Sequence, residues 1–357
     1  MTVQRRECNV SQISAVQTTI LDSTRLTQTF VTVTDSDGRS GVGETWWGIP
    51  DRERPGAEAR AIASVVDDIL APRVVGREAG EIGRLWFELW DYGYRYADQG
   101  IYPMALSGLD IALWDLLGKT LGVSVLQLLG GSRHDAVPAY ASLPPLRDPE
   151  LVVSETQRAV DAGIGGVKLH EVTIDHVERL RRRFGDELAI MVDVNGHFDP
   201  IEAVDFGRQL ADLGVTWFEE PVRPMRDHRA MRRVQRQSGV DIAAGENEYT
   251  LEDFERLLST EAITYLQPEV TKIGGITAAQ RVATLAEMHN VALSPHNFRP
   301  GPSLYASLAY GFASSVTRWF EIPWVADGVR FASDTPLPTM EDGHVLVPEG
   351  PGLSVPD

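Results

Sequence analysis

Seven short apolar runs in this chain end in an ionisable residue, at nearly constant spacing. Lys168 and His170 end the run 166–170, Asp193 ends 190–193, and Glu219 and Glu220 end 217–220. Glu246 ends 242–246, Glu269 ends 265–269, His296 ends 293–296 and Glu321 ends 319–321. From Lys168 through Asp193, Glu219, Glu246, Glu269 and His296 to Glu321, the intervals are 25, 26, 27, 23, 27 and 25 residues. A strand, a helix and two loops fill about that length, typically roughly 30 residues in a (β/α) barrel of roughly 250.

The sequence between the runs reads as helix. Asp199-Pro200 supplies an N-cap and a first-turn proline, and Gly214 ends that segment. Val215 to Phe218 then reads as a buried strand. Thr250-Leu251-Glu252-Asp253 opens the next helix as a capping box, and 263–266 is its strand. Residues 277–289 form another helix before a strand at 291–293. Strands alternating with helices imply parallel pairing with helical crossovers. With 137–142 as the first strand the count is eight. Barrel active sites lie at the C-terminal ends of the strands, where all seven ionisable positions fall.

A single carboxylate after a strand is commonly a helix cap or a surface charge. Seven in register at one face need another explanation, because buried like charges must be paired or neutralised. Asp193, Glu219 and Glu246 lie on three successive strands and should converge. Three converging carboxylates require a hard divalent cation with oxygen ligands, Mg²⁺ before Mn²⁺ or Ca²⁺.

Three zones follow. Residues 1–130 begin with a strand at 27–34, a turn at 35–38, a second strand into Glu44-Thr45-Trp46-Trp47, and helices at 57–71 and 103–121. Residues 131–325 form the barrel. Residues 326–357, rich in Pro and Gly, read as a return segment packing on the first zone. The single cysteine, Cys8, makes no internal disulfide, and no apolar run is long enough to span a membrane. A cytoplasmic location is expected. The net charge of −18 argues against nucleic-acid binding, and the one cationic run, 179–183, reads as a solvated helix face. An acidic protein that binds an anion needs local cations or a metal.

These residues resemble the enolase superfamily, and within it the mandelate racemase group. The resemblance covers nearly the whole chain: Ser107 to Asp115, Met191 to Asn195, Trp217 to Pro221, Gly245-Glu246-Asn247, Lys272 to Ile276 and Ser294-Pro295-His296. It implies an α/β fold, a modified TIM (β/α) barrel with an N-terminal α+β capping domain whose loops close over the barrel mouth. It implies Mg²⁺ on Asp193, Glu219 and Glu246. Lys168 and His170 match a Lys-x-Lys pair, with histidine replacing the second lysine. His296 matches the histidine of a His–Asp dyad, whose acid is Glu269 here. Glu321 matches an acid that donates a hydrogen bond to the enolate, if burial keeps it protonated. Relatives of this kind are often homo-oligomers.

The expected activity is removal of the proton next to a carboxylate, with His170 and His296 as the two bases. Dehydration of an acid sugar, an aldonate or aldarate, to a 2-keto-3-deoxy acid leads. Racemisation or epimerisation of a 2-hydroxy acid is the alternative, and a non-catalytic ligand-binding barrel is a remote one. A Schiff-base aldolase would use Lys168 without metal. Trp46 and Trp47 are expected against the substrate chain, and Asn195, Asn297 and Arg299 against its hydroxyls. Lys272 is read as a supporting cation. Each has a plainer reading: cap packing for the tryptophans, a strand terminus for Asn195 and a loop position for Arg299.

Overall fold

The computed structural model describes residues 11–21, 26–46, 56–324 and 331–356. Its first unit is an antiparallel sheet of β1 (Ile13–Leu21), β2 (Gln28–Asp35) and β3 (Ser40–Glu44), in the order β1-β2-β3. Helices follow: α1 (Ala57–Ser64), which runs through a wider turn at Val65–Leu70 into α2 (Ala71–Val74), then α3 (Ile82–Ala97), α4 (Ile101–Leu121) and the short α5 (Val125–Leu128). The sheet packs on α4. Glycines allow the close approach: a Cβ at Gly43 would overlap the Gly108 carbonyl oxygen, and one at Gly41 the Ala112 carbonyl oxygen.

The second unit is a parallel barrel. Its strands are β4 (Ala136–Ser142), β5 (Gly166–Leu169), β6 (Ala189–Asp193), β7 (Trp217–Glu219), β8 (Ile242–Ala244), β9 (Tyr265–Leu266), β10 (Ala292–Leu293) and β11 (Phe320–Pro323). Each pairs in parallel with the next from β4 to β10, and β11 pairs with β4. The bridge Leu293–Thr317 joins the seventh strand to the run leading into the eighth, completing the closure. The crossovers are α6 (Pro149–Asp161), α7 (Ile174–Phe184), α8 (Pro200–Asp212), α9 (His228–Ser238), α10 (Leu251–Ser259), α11 (Ile276–His289) and α12 (Pro302–Ala313). No helix follows β11 among the described residues. The expected caps form: Asp199 makes a capping box with Glu202, and Thr250 with Asp253.

The segment after β11 touches both units. Its hairpin, β12 (Met340–Glu341) and β13 (His344–Leu346), pairs antiparallel with β4. Further on, the Leu353 N–H donates to Asp115 Oδ1 on α4 (2.9 Å). No helix among the described residues is long and apolar enough to cross a membrane.

Helix α4 is buried on nearly every side and fastens the two units. Ser107 Oγ accepts from Gly274 N (2.8 Å), and Asp110 accepts from Thr277 N (2.9 Å) and Thr277 Oγ1 (2.6 Å) at the start of α11. Trp86 and Trp114 donate ring N–H bonds to the same loop. The Ser107–Asp115 motif therefore holds the loop that carries Lys272.

Candidate active site

Side chains along a strand alternate between its two faces. On β6, Ile190 and Val192 pack outward in the large core, while Met191 lies in an inner cluster with Tyr140 of β4, Trp217 of β7 and Ala243 of β8. Two residues beyond Met191 and Trp217, the same inward phase gives Asp193 and Glu219, which pair in register. The aromatic layer plugs the barrel, and the ionisable layer sits on it at the strands' C-terminal ends.

Asp193, Glu219 and Glu246 converge as expected. One oxygen from each lies within 4.8 Å of the others, and all three side chains are buried. Burial pushes Glu219 up to about 7; Asp193, Glu321 and Glu246 add to the rise, and Lys168 opposes it. Three carboxylates this close repel one another when ionised together, and their all-oxygen donor set fits a hard divalent ion. Asn195 holds Asp193 in place. Its backbone adopts φ 43°, its N–H donates to Oδ1 (2.8 Å) and its amide to Oδ2 (3.1 Å).

Lys168 lies beneath the cluster and does not line the cavity above it. Its ammonium is 2.9 Å from Glu219, 3.0 Å from Glu321 and 3.8 Å from Asp193. Burial opposes its charge, but the surrounding carboxylates hold it well above the ordinary lysine range. Glu321 differs from the sequence expectation. Burial alone would protonate it, yet Lys168 and His296 hold its carboxyl below the usual range. It accepts bonds from Tyr140 Oη (3.2 Å) and Asn297 N (3.2 Å) instead of donating one.

His170 and His296 both line the cavity. His170 Nδ1 is 2.6 Å from the Leu143 carbonyl oxygen, which must accept, so this nitrogen carries hydrogen. Nε2 lies 3.2 Å from Asp193. Burial lowers the basicity of the ring, but Asp193 outweighs it and raises the pKa. His296 bridges Glu269 through Nδ1 (2.8 Å) and Glu246 through Nε2 (2.7 Å). Its burial likewise opposes charge, and the two glutamates with Glu321 push it well above the usual value. Glu269 is fixed by Thr271 N (3.0 Å) and Thr271 Oγ1 (2.6 Å), so the longer acid still reaches the imidazole.

A cavity of about 530 Å³ lies above these groups. Trp46, Asn195 and Lys272 line it, but Asn297 and Arg299 do not. Trp47 lies outside the described residues. The Lys272 ammonium sits 3.9 Å from the Trp46 ring centre and donates to Asn247 Oδ1 (2.9 Å). Arg299 is buried below Trp46. It pairs with Glu44 (2.8 Å) and donates to Thr271 Oγ1 (2.9 Å), tying the end of β3 to the barrel. The expectation that it reads substrate hydroxyls does not fit this placement. Asn297 accepts from Arg299 N (3.1 Å) and shapes the same loop.

Two residues to which the sequence assigns no role support the carboxylates. Asn247 clamps Glu220 (2.8 and 3.0 Å) and Glu246 (3.1 Å), and Gln267 donates to Glu219 (2.7 Å). Gln267 falls two residues before Glu269, so the two-residue period was its available signal.

The chain matches two family models: Mandelate racemase / muconate lactonizing enzyme, N-terminal domain, over residues 2–130, and Enolase C-terminal domain-like, over 151–356. It is 34% identical to the 3,6-anhydro-alpha-L-galactonate cycloisomerase of Streptomyces coelicolor, over 91% of this chain and 87% of that one. It is 29% identical to the arabinonate dehydratase of Saccharolobus solfataricus, over 89% and 85%. The solved 3,6-anhydro-D-galactonate cycloisomerase of Zobellia galactanivorans superposes with a TM-score of 0.86, at 28% identity and 97% coverage of both chains. The buried Asp193–Glu219–Glu246 cluster is typical of the divalent-metal site of this family. The chain is a member of the enolase superfamily, built from a mandelate racemase / muconate lactonizing enzyme cap and an enolase-like barrel.

Proposed function

We propose that this enzyme removes the proton α to the carboxylate of an acid sugar, with Mg²⁺ at Asp193, Glu219 and Glu246, and dehydrates it to a 2-keto-3-deoxy acid. The observation that carries the reading is the placement of two imidazoles, His170 and His296, on one cavity above the carboxylate cluster. Such a proton is very weakly acidic, because its loss creates a second negative charge beside the first. Mg²⁺, when bound, supplies Lewis-acid stabilisation of that charge. Lys168 adds a fixed positive charge from below.

His170 is the base in this reading. The Leu143 carbonyl keeps hydrogen on Nδ1, so Nε2, which faces Asp193 at 3.2 Å, is the nitrogen that would take the C2 proton. His296, held as an imidazolium by Glu269 and Glu246, is the acid. The C2–H bond breaks, its electron pair forms the C2–C3 double bond, and the C3–O bond breaks. The departing hydroxyl takes the proton of His296 and leaves as water. The enol then tautomerises to the 2-keto acid. A positioned acid or base contributes roughly 10²–10⁴-fold.

A second reading keeps the same first step. One relative of this chain is named as a cycloisomerase of a 3,6-anhydro acid. In such an acid the C3 oxygen is a ring ether, so elimination opens the ring and frees no water.

The test is incubation of the Mg²⁺-loaded enzyme with aldonic, aldaric and anhydro-aldonic acids, with products followed by NMR. A 2-keto-3-deoxy product is expected. His296→Asn should block the product by ~100-fold or more while C2 exchange persists, and His170→Asn should block both. Inversion at C2 without elimination would replace dehydration by racemisation or epimerisation. Absence of both reactions would overturn the reading.

A further inference from the structure

We infer that Glu171 is a positioning residue: it grips the loop 143–147 and so fixes the Leu143 carbonyl that orients the imidazole of His170. The inference rests on the reading above, in that His170 is the base.

His170 follows the last residue of β5, and the side chain after it, Glu171, is buried. Glu171 Oε1 accepts from two successive backbone N–H groups, those of Leu146 (2.8 Å) and Arg147 (2.9 Å). The Arg147 guanidinium reaches back to the His170 carbonyl oxygen (3.0 Å) and to Glu171 Oε2 (3.3 Å). His176 Nε2, in the first turn of α7, lies 3.9 Å from the same Oε2. At the other end of the loop, Leu143 N donates to the Lys168 carbonyl oxygen (3.0 Å). The Leu143 carbonyl oxygen then meets His170 Nδ1 at 2.6 Å.

The loop reads Leu143-Pro144-Pro145-Leu146-Arg147. Proline has no backbone N–H, so Leu146 and Arg147 carry the first donors after Leu143. Glu171 takes both. Arg147 adopts φ 63°, a left-handed conformation that a non-glycine residue keeps only where its surroundings impose it. The loop is therefore tied at Leu143 by strand pairing and at 146–147 by Glu171, with a stiff diproline between. Two fixed ends on a stiff span set the direction of the Leu143 carbonyl, and with it the ring and the hydrogen on Nδ1. A misplacement of about 1 Å in a reacting group costs on the order of 10²-fold in rate. The reach of the side chain, more than its charge, makes the grip.

The test compares Glu171→Gln, which keeps the reach and removes the charge, with Glu171→Asp, which keeps the charge and loses a methylene. NMR of the ¹⁵N-histidine-labelled, Mg²⁺-loaded enzyme without substrate reads the His170 Nδ1–H resonance, assigned by its loss in His170→Asn. C2 exchange of acid sugars in D₂O supplies kcat and KM. Glu171→Gln should keep the resonance and kcat. Glu171→Asp should shift the resonance and lower kcat by about tenfold or more, with KM changed less. An unshifted resonance in Glu171→Asp, or equal effects of the two substitutions, overturns the inference. Retained Mg²⁺-dependent thermal stabilisation shows that each variant is folded. Amide hydrogen exchange of the parent needs no variant: the Leu146 and Arg147 amides should be protected, and exchange at the rate of an unstructured chain overturns the grip. Both resonance and protection are read without turnover, so absence of C2 exchange in the parent sinks the proton-abstraction reading and leaves this test standing.

Discussion

At the scale of single residues, the site is organised around excess negative charge. Asp193, Glu219, Glu246, Glu269 and Glu321 are all buried at one mouth, and Lys168 is the fully buried cation beneath three of them. The remaining imbalance suits the cluster to a divalent ion, whose binding would stabilise the fold. Mg²⁺ at 100-fold excess over its Kd should add about 2.7 kcal/mol to unfolding stability. Differential scanning fluorimetry should show a higher Tm with Mg²⁺, reversed by chelator. Asp193→Asn should abolish the Mg²⁺-dependent part of that shift. An unchanged shift in the variant would remove Asp193 from the ligand set.

At the scale of elements, two contacts decide how strands and helices meet. The approach of β3 to α4 depends on facing glycines. Gly43→Ala should destabilise the protein by about 2–3 kcal/mol, because backbone and not a flexible side chain occupies the space. Chemical denaturation would measure it. The second contact is Asp110 at the start of α11, whose carboxyl is pushed by burial up to about 7. The folded protein then holds a proton that the unfolded chain releases near 3.8. This contribution is complete below that value and is lost as pH rises through about 7. Its size is on the order of 4 kcal/mol. In Asp110→Asn, unfolding stability should fall less between pH 5 and 8 than in the parent; equal slopes would contradict it.

The elements also show what the sequence made legible. The barrel strands and their inward residues could be read because apolar runs, alternation and spacing all repeat. Helix α12 could not, because Pro302 to Phe312 is buried on every side and has no amphipathic period. Helix α3 was obscured in another way: Phe87, Tyr92, Tyr94 and Tyr96 are exposed, which blurs its apolar face. Strand β1 was not read either. Of its nine residues Ile13 alone is buried, and the rest are half-buried or exposed, so no buried apolar face marks it. Within the site, the placement of Arg299 was not legible because a residue name near a strand end does not reveal its partner. Glu44, 255 positions from Arg299, claims that guanidinium.

At the scale of the molecule, the cap and barrel form one site because buried polar contacts cross between them. Arg299 and Glu44 are both inaccessible to solvent, and Gln28 bridges Glu44 (2.9 Å) to the Pro300 carbonyl (2.9 Å). Breaking such a pair leaves an uncompensated buried charge, which costs about 3–5 kcal/mol. Glu44→Gln should lower unfolding stability by about that amount, and Glu44→Gln/Arg299→Met should recover part of it. A Glu44→Gln loss below about 1 kcal/mol would show that the pair does not fasten the cap.

The central claim is that this constellation removes a proton next to a carboxylate with a divalent ion at the carboxylate cluster. The most direct measurement is NMR of the C2 proton of acid-sugar substrates in D₂O, with enzyme and Mg²⁺, with chelator, and with His170→Asn. The account predicts loss of the C2 signal, by exchange or by conversion, only with the parent enzyme and Mg²⁺. Equal loss with chelator present would contradict the metal assignment, and a C2 signal unchanged for every acid tried would contradict the account as a whole.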